Sequence, residues 1–168
     1  MLRPTTLLLG LFTAVLLAVP IDSASGNFRL EPPAGWIQHK FPGVLEPIHL
    51  SPEAHGGFRC NLVLIEEAMH ADDTLDKALE GSIRFMKRSW KDFESTGRSE
   101  LKSASGNRII RLDYRATTNP GHPRCSNRVY FMIVGKNQLL TATITSMAST
   151  PTSEVEAAEK AVLTIEPR

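Results

Sequence analysis

The chain has 168 residues, 19 basic and 18 acidic side chains, a formal net charge of +1, and 42% hydrophobic residues. Mixed signs near neutrality carry no electrostatic footprint for nucleic acid or an anionic lipid surface. The length suits a single domain with a core large enough to fold without a metal clip.

Arg3, the apolar run over residues 7–19 and the small polar stretch Ser23-Ala24-Ser25 have the layout of a secretory signal peptide. The run is shorter than the roughly 20 apolar residues that a membrane span needs. Residues 1–25 are therefore expected to be a signal peptide and residues 26–168 a single domain, secreted or periplasmic, with no stable membrane insertion after cleavage. Retention of the segment as an anchor is the alternative. No cysteine stands at the exit of the run to accept a lipid.

Residues 28–30 alternate as a short strand, halted by Glu31-Pro32-Pro33-Ala34-Gly35. Residues 36–41 alternate again, and Pro47 and Pro52 keep the next stretch short and edge-like. Residues 58–66 give the strongest early strand, with Phe58, Cys60, Leu62 and Leu64 on one face. Its other face turns apolar at Val63 and Ile65, which predicts cover on both sides. Asp72-Asp73-Thr74 opens a helix that either aspartate can cap. Leu75, Leu79, Ile83, Met86 and Trp90 form its apolar stripe, and Lys87, Arg88 and Lys91 favour the last turn. Gly81, inside the stripe, is expected to mark a close contact with the sheet.

Four strands follow: an edge-like one over 93–102, then 108–116, 125–134 and 139–147. Val129, Phe131 and Ile133 share the face of Cys125, and Gly135-Lys136-Asn137 makes a tight return. Ser153-Glu154-Val155-Glu156 reads as a capping box before a last helix with Val155, Ala158, Val162 and Ile165 buried. Short turns between successive strands imply an antiparallel sheet, so the fold class is α+β.

Cys60 and Cys125 are the only cysteines. In an oxidising compartment such a pair reads first as a disulfide. Closing a loop of about 65 residues would stabilise by roughly 4 kcal/mol in the chain-entropy model. Buried free thiols and a redox couple are the alternatives, the second opposed by the absence of a Cys-x-x-Cys motif.

With Leu30-Glu31-Pro32-Pro33-Ala34-Gly35-Trp36 at the front, a strand before Asp72-Asp73-Thr74-Leu75, and strand pairs ending in a helix, the chain resembles the PsbP-like superfamily. That group holds the extrinsic subunit of photosystem II, the Ran-binding nuclear import factors and bacterial envelope proteins of the DcrB type. The resemblance covers roughly residues 27–165. It implies a bacterial envelope protein with an antiparallel sheet, helices on both faces, and a role in binding. The chain departs from the DcrB-type lipoproteins in lacking a lipid-accepting cysteine, and no site residue carries over.

The residues themselves spell no reaction. His39, His49, His55, His70 and His122 lack metal-ligand spacing and read as solvated loop residues. Glu66, Glu67, Asp72 and Asp73 lack the alternate-ligand loop of a calcium site. The serines have no nucleophile elbow, so neither metal, cofactor nor enzymatic activity is expected. Trp36 is a candidate for stacking on a ligand, and Arg111 and Arg115, which share a strand face, for contacting an acidic partner. The expectation is an exported, non-catalytic binding protein acting through a protein partner or assembly. The alternatives are a small-ligand carrier, which requires an apolar cleft between sheet and helix and reports through Trp36 or Trp90, and a hydrolase with an unrecognised site.

Overall fold

The computed structural model describes residues 19–70, 72–90, 92–117 and 123–168. In chain order the elements are β1 (Ile21–Asp22), β2 (Phe28–Leu30), β3 (Ile37–His39), β4 (Ile48–Leu50), β5 (Asn61–Ala68), α1 (Leu75–Ser89), β6 (Glu94–Lys102), β7 (Arg108–Ala116), β8 (Cys125–Val134), β9 (Gln138–Ser146), α2 (Thr152–Leu163) and β10 (Glu166–Pro167). Seven strands form one antiparallel sheet in the order β3-β4-β5-β9-β8-β7-β6, and β1, β2 and β10 form a small clasp. Expected and observed fold class agree: an antiparallel α+β fold with two helices.

The two-residue period of the strands deals their side chains to two cores. Ile110, Leu112 and Tyr114 of β7 and Val129 and Phe131 of β8 pack with Leu75, Leu79 and Met86 of α1. The intervening residues Tyr130, Met132 and Val134, with Leu62, Leu64 and Ile144, pack under Val155, Ala158, Ala161 and Val162 of α2. Each helix thus covers one face of the sheet.

The Cys60–Cys125 disulfide is not formed; both are buried free thiols. Strand β9 lies between their strands, Asn61 pairing with Thr145 and Ser126 with Ser146. Two strand spacings separate the backbones by about 10 Å, beyond the roughly 7 Å that a disulfide tolerates. Parity also opposes the bond, because Cys60 shares the α2 face with Leu62 and Cys125 the α1 face with Val129.

Both helix starts differ from expectation. Thr74 caps α1, its hydroxyl accepting from the Lys77 amide at 3.2 Å. Asp73 instead accepts from the His70 amide at 3.0 Å and closes the preceding turn. Helix α2 follows Pro151, with no side-chain cap. Its first turn therefore already contains Ser153, and the Glu154 carboxylate accepts from or pairs with His55 Nε2 at 2.9 Å. Gly81 makes no close contact with the sheet: a methyl there would meet only the Arg84 guanidinium, at 3.9 Å. The expected contribution of Lys91 to the last turn of α1 and the histidine at position 122 lie outside the described residues.

Residues 21–25, read from sequence as the end of the signal, take part in the fold. Ile21 pairs with Leu30 and Asp22 with Arg29. The Ser23 hydroxyl accepts from the Phe28 amide, the Ala24 amide donates to buried Glu46 at 2.7 Å, and the Ser25 hydroxyl donates to Glu66. Opposite them, β10 pairs with β2, and the Arg168 guanidinium reaches Asp22 at 3.0 Å. The return between β8 and β9 closes tightly here, because Gly135 sits at φ +51° with the Asn27 amide oxygen 2.6 Å from where a Cβ would stand. Only glycine combines that backbone with that approach.

Candidate ligand cleft between helix and sheet

Helix α1 lies over β7 and β8, leaving a cleft of about 580 Å³ between it and the sheet. Such volumes lie within the range that holds small organic ligands. Val129, Phe131 and Leu139 form the apolar floor, with Thr141 and Thr143 of β9 beside them. Ala78, Ser82 and Met86 form the helix wall. Phe85 on the helix (60% exposed) and Ile65 on β5 (48% exposed) stand at the rim.

The two ends differ chemically. At the C-terminal end of α1, Trp90 stacks on Tyr114 with ring centres 5.5 Å apart and planes at 18°, and Phe93 lies 5.3 Å from the same tyrosine. Burial pushes the Tyr114 phenol up, so it stays neutral and able to donate a hydrogen bond. At the other end, Glu67 closes β5 and Asp73 precedes α1.

Two cleft residues carried a sequence signal that pointed elsewhere. Ile65 reads as evidence that β5 is covered on both faces, yet it is half exposed because α1 does not reach across β9 to β5. Phe85 falls off the α1 stripe, and an apolar residue off the stripe is the mark of a second, uncovered surface.

Of the residues weighed for chemistry from sequence, Trp90 lines this cleft, as do Glu67 and Asp73, which were considered there only as calcium ligands. Trp36 is partly buried against the α2-side core, on the other side of the sheet. Arg111 is engaged internally, donating to Asp113 at 2.8 Å and to Glu159 of α2 at 2.7 Å. Arg128 meets the same Glu159 at 2.5 Å, so these charges tie α2 to the sheet. Arg115, on the same strand face as Arg111, is exposed.

The histidines are dispersed. His39 and His70 are exposed, and His55 is held by Glu154. His49 is not a solvated loop residue but lies in β4, buried, with neither ring nitrogen partnered. Among the described residues no group of three or more His, Cys, Asp and Glu stands together to hold a metal. Cys60 lies near Glu154, but burial first and the Glu154 charge second push its thiol up to about 12. A thiol so held is protonated and unreactive at neutral pH. Among the described residues, no helix is long and apolar enough to cross a membrane.

No protein-family model and no curated protein matches the chain. Solved structures do. The cyanobacterial PsbP of Synechocystis sp. PCC 6803 superposes with a TM-score of 0.66 at 15% identity, over 94% of this chain and 96% of its own. The fold is PsbP-like. The same PsbP-like fold is shared with LpqN of Mycobacterium tuberculosis, a protein involved in cell envelope biogenesis, at a TM-score of 0.63 and 13% identity, over 88% of each chain. It is shared too with the Ran-binding protein Mog1p of Saccharomyces cerevisiae, at 0.61 and 8% identity, over 89% of this chain and 94% of that one. At these identities the likeness is one of fold, and sites must be argued from the residues.

Proposed function

We propose that this chain is an exported, non-catalytic binding protein related to the DcrB-type envelope proteins, and that it holds a small apolar ligand in the cleft beside α1. The observation that carries this reading is the cleft itself, about 580 Å³ in volume, with an apolar floor and with Phe85 and Ile65 exposed at its rim. Aromatic and aliphatic side chains left open to water beside a cavity are stabilised when a ligand covers them. A non-catalytic role is supported by the raised Cys60 thiol, which stays protonated at neutral pH. The similarity to LpqN supports an extracytoplasmic setting.

Native mass spectrometry of the protein purified without detergent from its native envelope or secretion medium tests the reading. A reproducible non-covalent adduct that is lost when Phe85 and Met86 are replaced by polar residues supports it. A bare chain, with no change in Trp90 fluorescence on addition of a lipid extract, refutes it. Turnover in ester, peptide or glycoside panels would refute the non-catalytic part.

One observation favours a protein partner as a second reading. Among the described residues, strand β3 is a free edge of the large sheet with all three residues exposed, Ile37 at 48%, and Leu45 (57% exposed) lies near Gln38. Such an edge can accept a strand from another protein. Crosslinking and co-purification, with and without Gln38→Pro, distinguish this mode: only a partner paired on β3 is lost in the variant.

A further inference from the structure

The cleft is polarised along its length. The end of β5 and the start of α1 meet at a single pole, where Glu67 and Asp73 both line the cleft. Glu67 pairs with Leu139 at this pole, while Tyr114 at the far pole shares its row with Asn127 and Thr145. From 139 to 145 β9 advances six residues, or about 20 Å at roughly 3.4 Å each. An extended alkyl chain of dodecyl length fits within that span. Between the poles, Leu139, Phe131, Val129 and Met86 present apolar surface.

The charges in the lining have one sign. Among its described residues the only ionised side chains are Glu67 and Asp73, both at the first pole. The Lys77 ammonium is held away on the Asp72 carbonyl at 2.8 Å. The start of α1 contributes a partial positive charge, about half a unit. Asp76 in the first turn belongs to a charge-balanced cluster with Arg98, Arg108 and Glu100 outside the lining, so half a unit stands against two. Two full carboxylates therefore set the sign. A fatty carboxylate would bring a third negative charge to this pole, or set its head against Trp90 and Tyr114 at the other.

We infer that the cleft selects an apolar molecule with a cationic head, an amphiphilic amine, whose head lies between Glu67 and Asp73 and whose tail runs toward Trp90 and Tyr114. The inference rests on the cleft being the ligand site. It narrows that reading from apolar ligands in general to one charge class.

Three probes with one tail separate the two levels: dodecylammonium, dodecanol and dodecanoate, each below its aggregation concentration, at pH 7 and low salt. The exported chain carrying Trp36→Phe leaves Trp90 as the only tryptophan and the fluorescent reporter, and calorimetry on the unsubstituted chain gives the same affinities without relying on that variant. Dodecylammonium is expected to bind about tenfold more tightly than dodecanoate, equivalent to about 1.4 kcal/mol, with dodecanol between. High salt should shrink the difference. Glu67→Gln with Asp73→Asn, which keeps an acceptor for the His70 amide, should abolish it. Dodecanol or dodecanoate binding as tightly as the ammonium would overturn the head-group inference while leaving the ligand-carrier reading in place. Absence of saturable binding by all three would overturn both.

Discussion

Replacing His49 with leucine should stabilise the protein, and by more as the solution is acidified. The ring stands on β4 opposite Leu62, 1% exposed, with both nitrogens lacking a hydrogen-bond partner. A buried polar atom without a partner costs about 1 to 3 kcal/mol, and leucine fills a similar space without that penalty. A gain of about 2 kcal/mol would raise Tm by roughly 4 to 8 °C in a chain of this size. Burial lowers the pKa of His49 from its usual 6.5, so the folded state holds the neutral ring. Above pH 6.5 neither state binds the proton and the native protein keeps its full stability. Below it the unfolded chain takes up a proton that the folded one refuses. Stability then falls by up to about 1.4 kcal/mol per pH unit until the folded pKa is reached. Glu46 acts in the opposite sense. Its carboxyl is raised, chiefly by burial, so its contribution is present below 4.5 and lost as pH rises through the folded value. Both proteins carry Glu46, and its effect cancels in their difference. Urea melts of the native chain and His49→Leu at pH 8, 6 and 5 measure that difference. A gap that stays constant with pH, or a variant less stable at pH 8, would refute the reasoning.

Three further outcomes follow from the packing described above. The melting temperature should be the same with and without reductant, and a thiol reagent should modify Cys60 only on unfolding, since its thiol is buried and held up to about 12; a Tm that falls with reductant would contradict the placement of the two cysteines on opposite faces. Gly81→Ala should stabilise α1 by about 1 kcal/mol, because the added methyl meets nothing nearer than Arg84 at 3.9 Å; a loss in chemical denaturation would show a contact with the sheet after all. A chain beginning at Gly26 should be less stable than one beginning at Val19 by about 1 to 3 kcal/mol, because it loses β1 and the amide that Ala24 donates to buried Glu46; equal melts would show that β1 is dispensable.

Strands β7 and β8 were legible to the residue, because long alternation between two buried layers leaves little choice of phase. The same alternation even assigned Cys125 to the face of Val129 and Cys60 to that of Leu62. What it could not assign was whether those two faces were the same one. That relation runs through β9 and depends on the register of two pairings, and no single strand's period carries it. The caps failed for a smaller reason, since Asp73 and Thr74 are chemically equivalent candidates and one residue of phase decides between them. Strands of two residues, β1 and β10, are too short to show any period. The cleft was legible only as a requirement. Ile65 and Phe85 announce apolar surface, but how far α1 reaches across the sheet is set by packing.

The pairing of β2 with both β1 and β10 bears on when this chain can fold. A polypeptide emerging N-terminus first presents β1 and β2 long before residues 166–167 exist to complete the clasp. The middle of the sheet waits as well, because β5 ends at residue 68 and its partner β9 starts at 138, 70 residues later. At about 5 to 20 residues per second, that interval lasts roughly 4 to 14 s, far longer than the collapse of a small chain. Throughout it Leu62 and Leu64 have neither β9 to pair with their strand nor α2 to cover them. Such an order of assembly keeps the polypeptide threadable until nearly all of it has been made, the state in which a chain can pass through a narrow channel and fold on the far side.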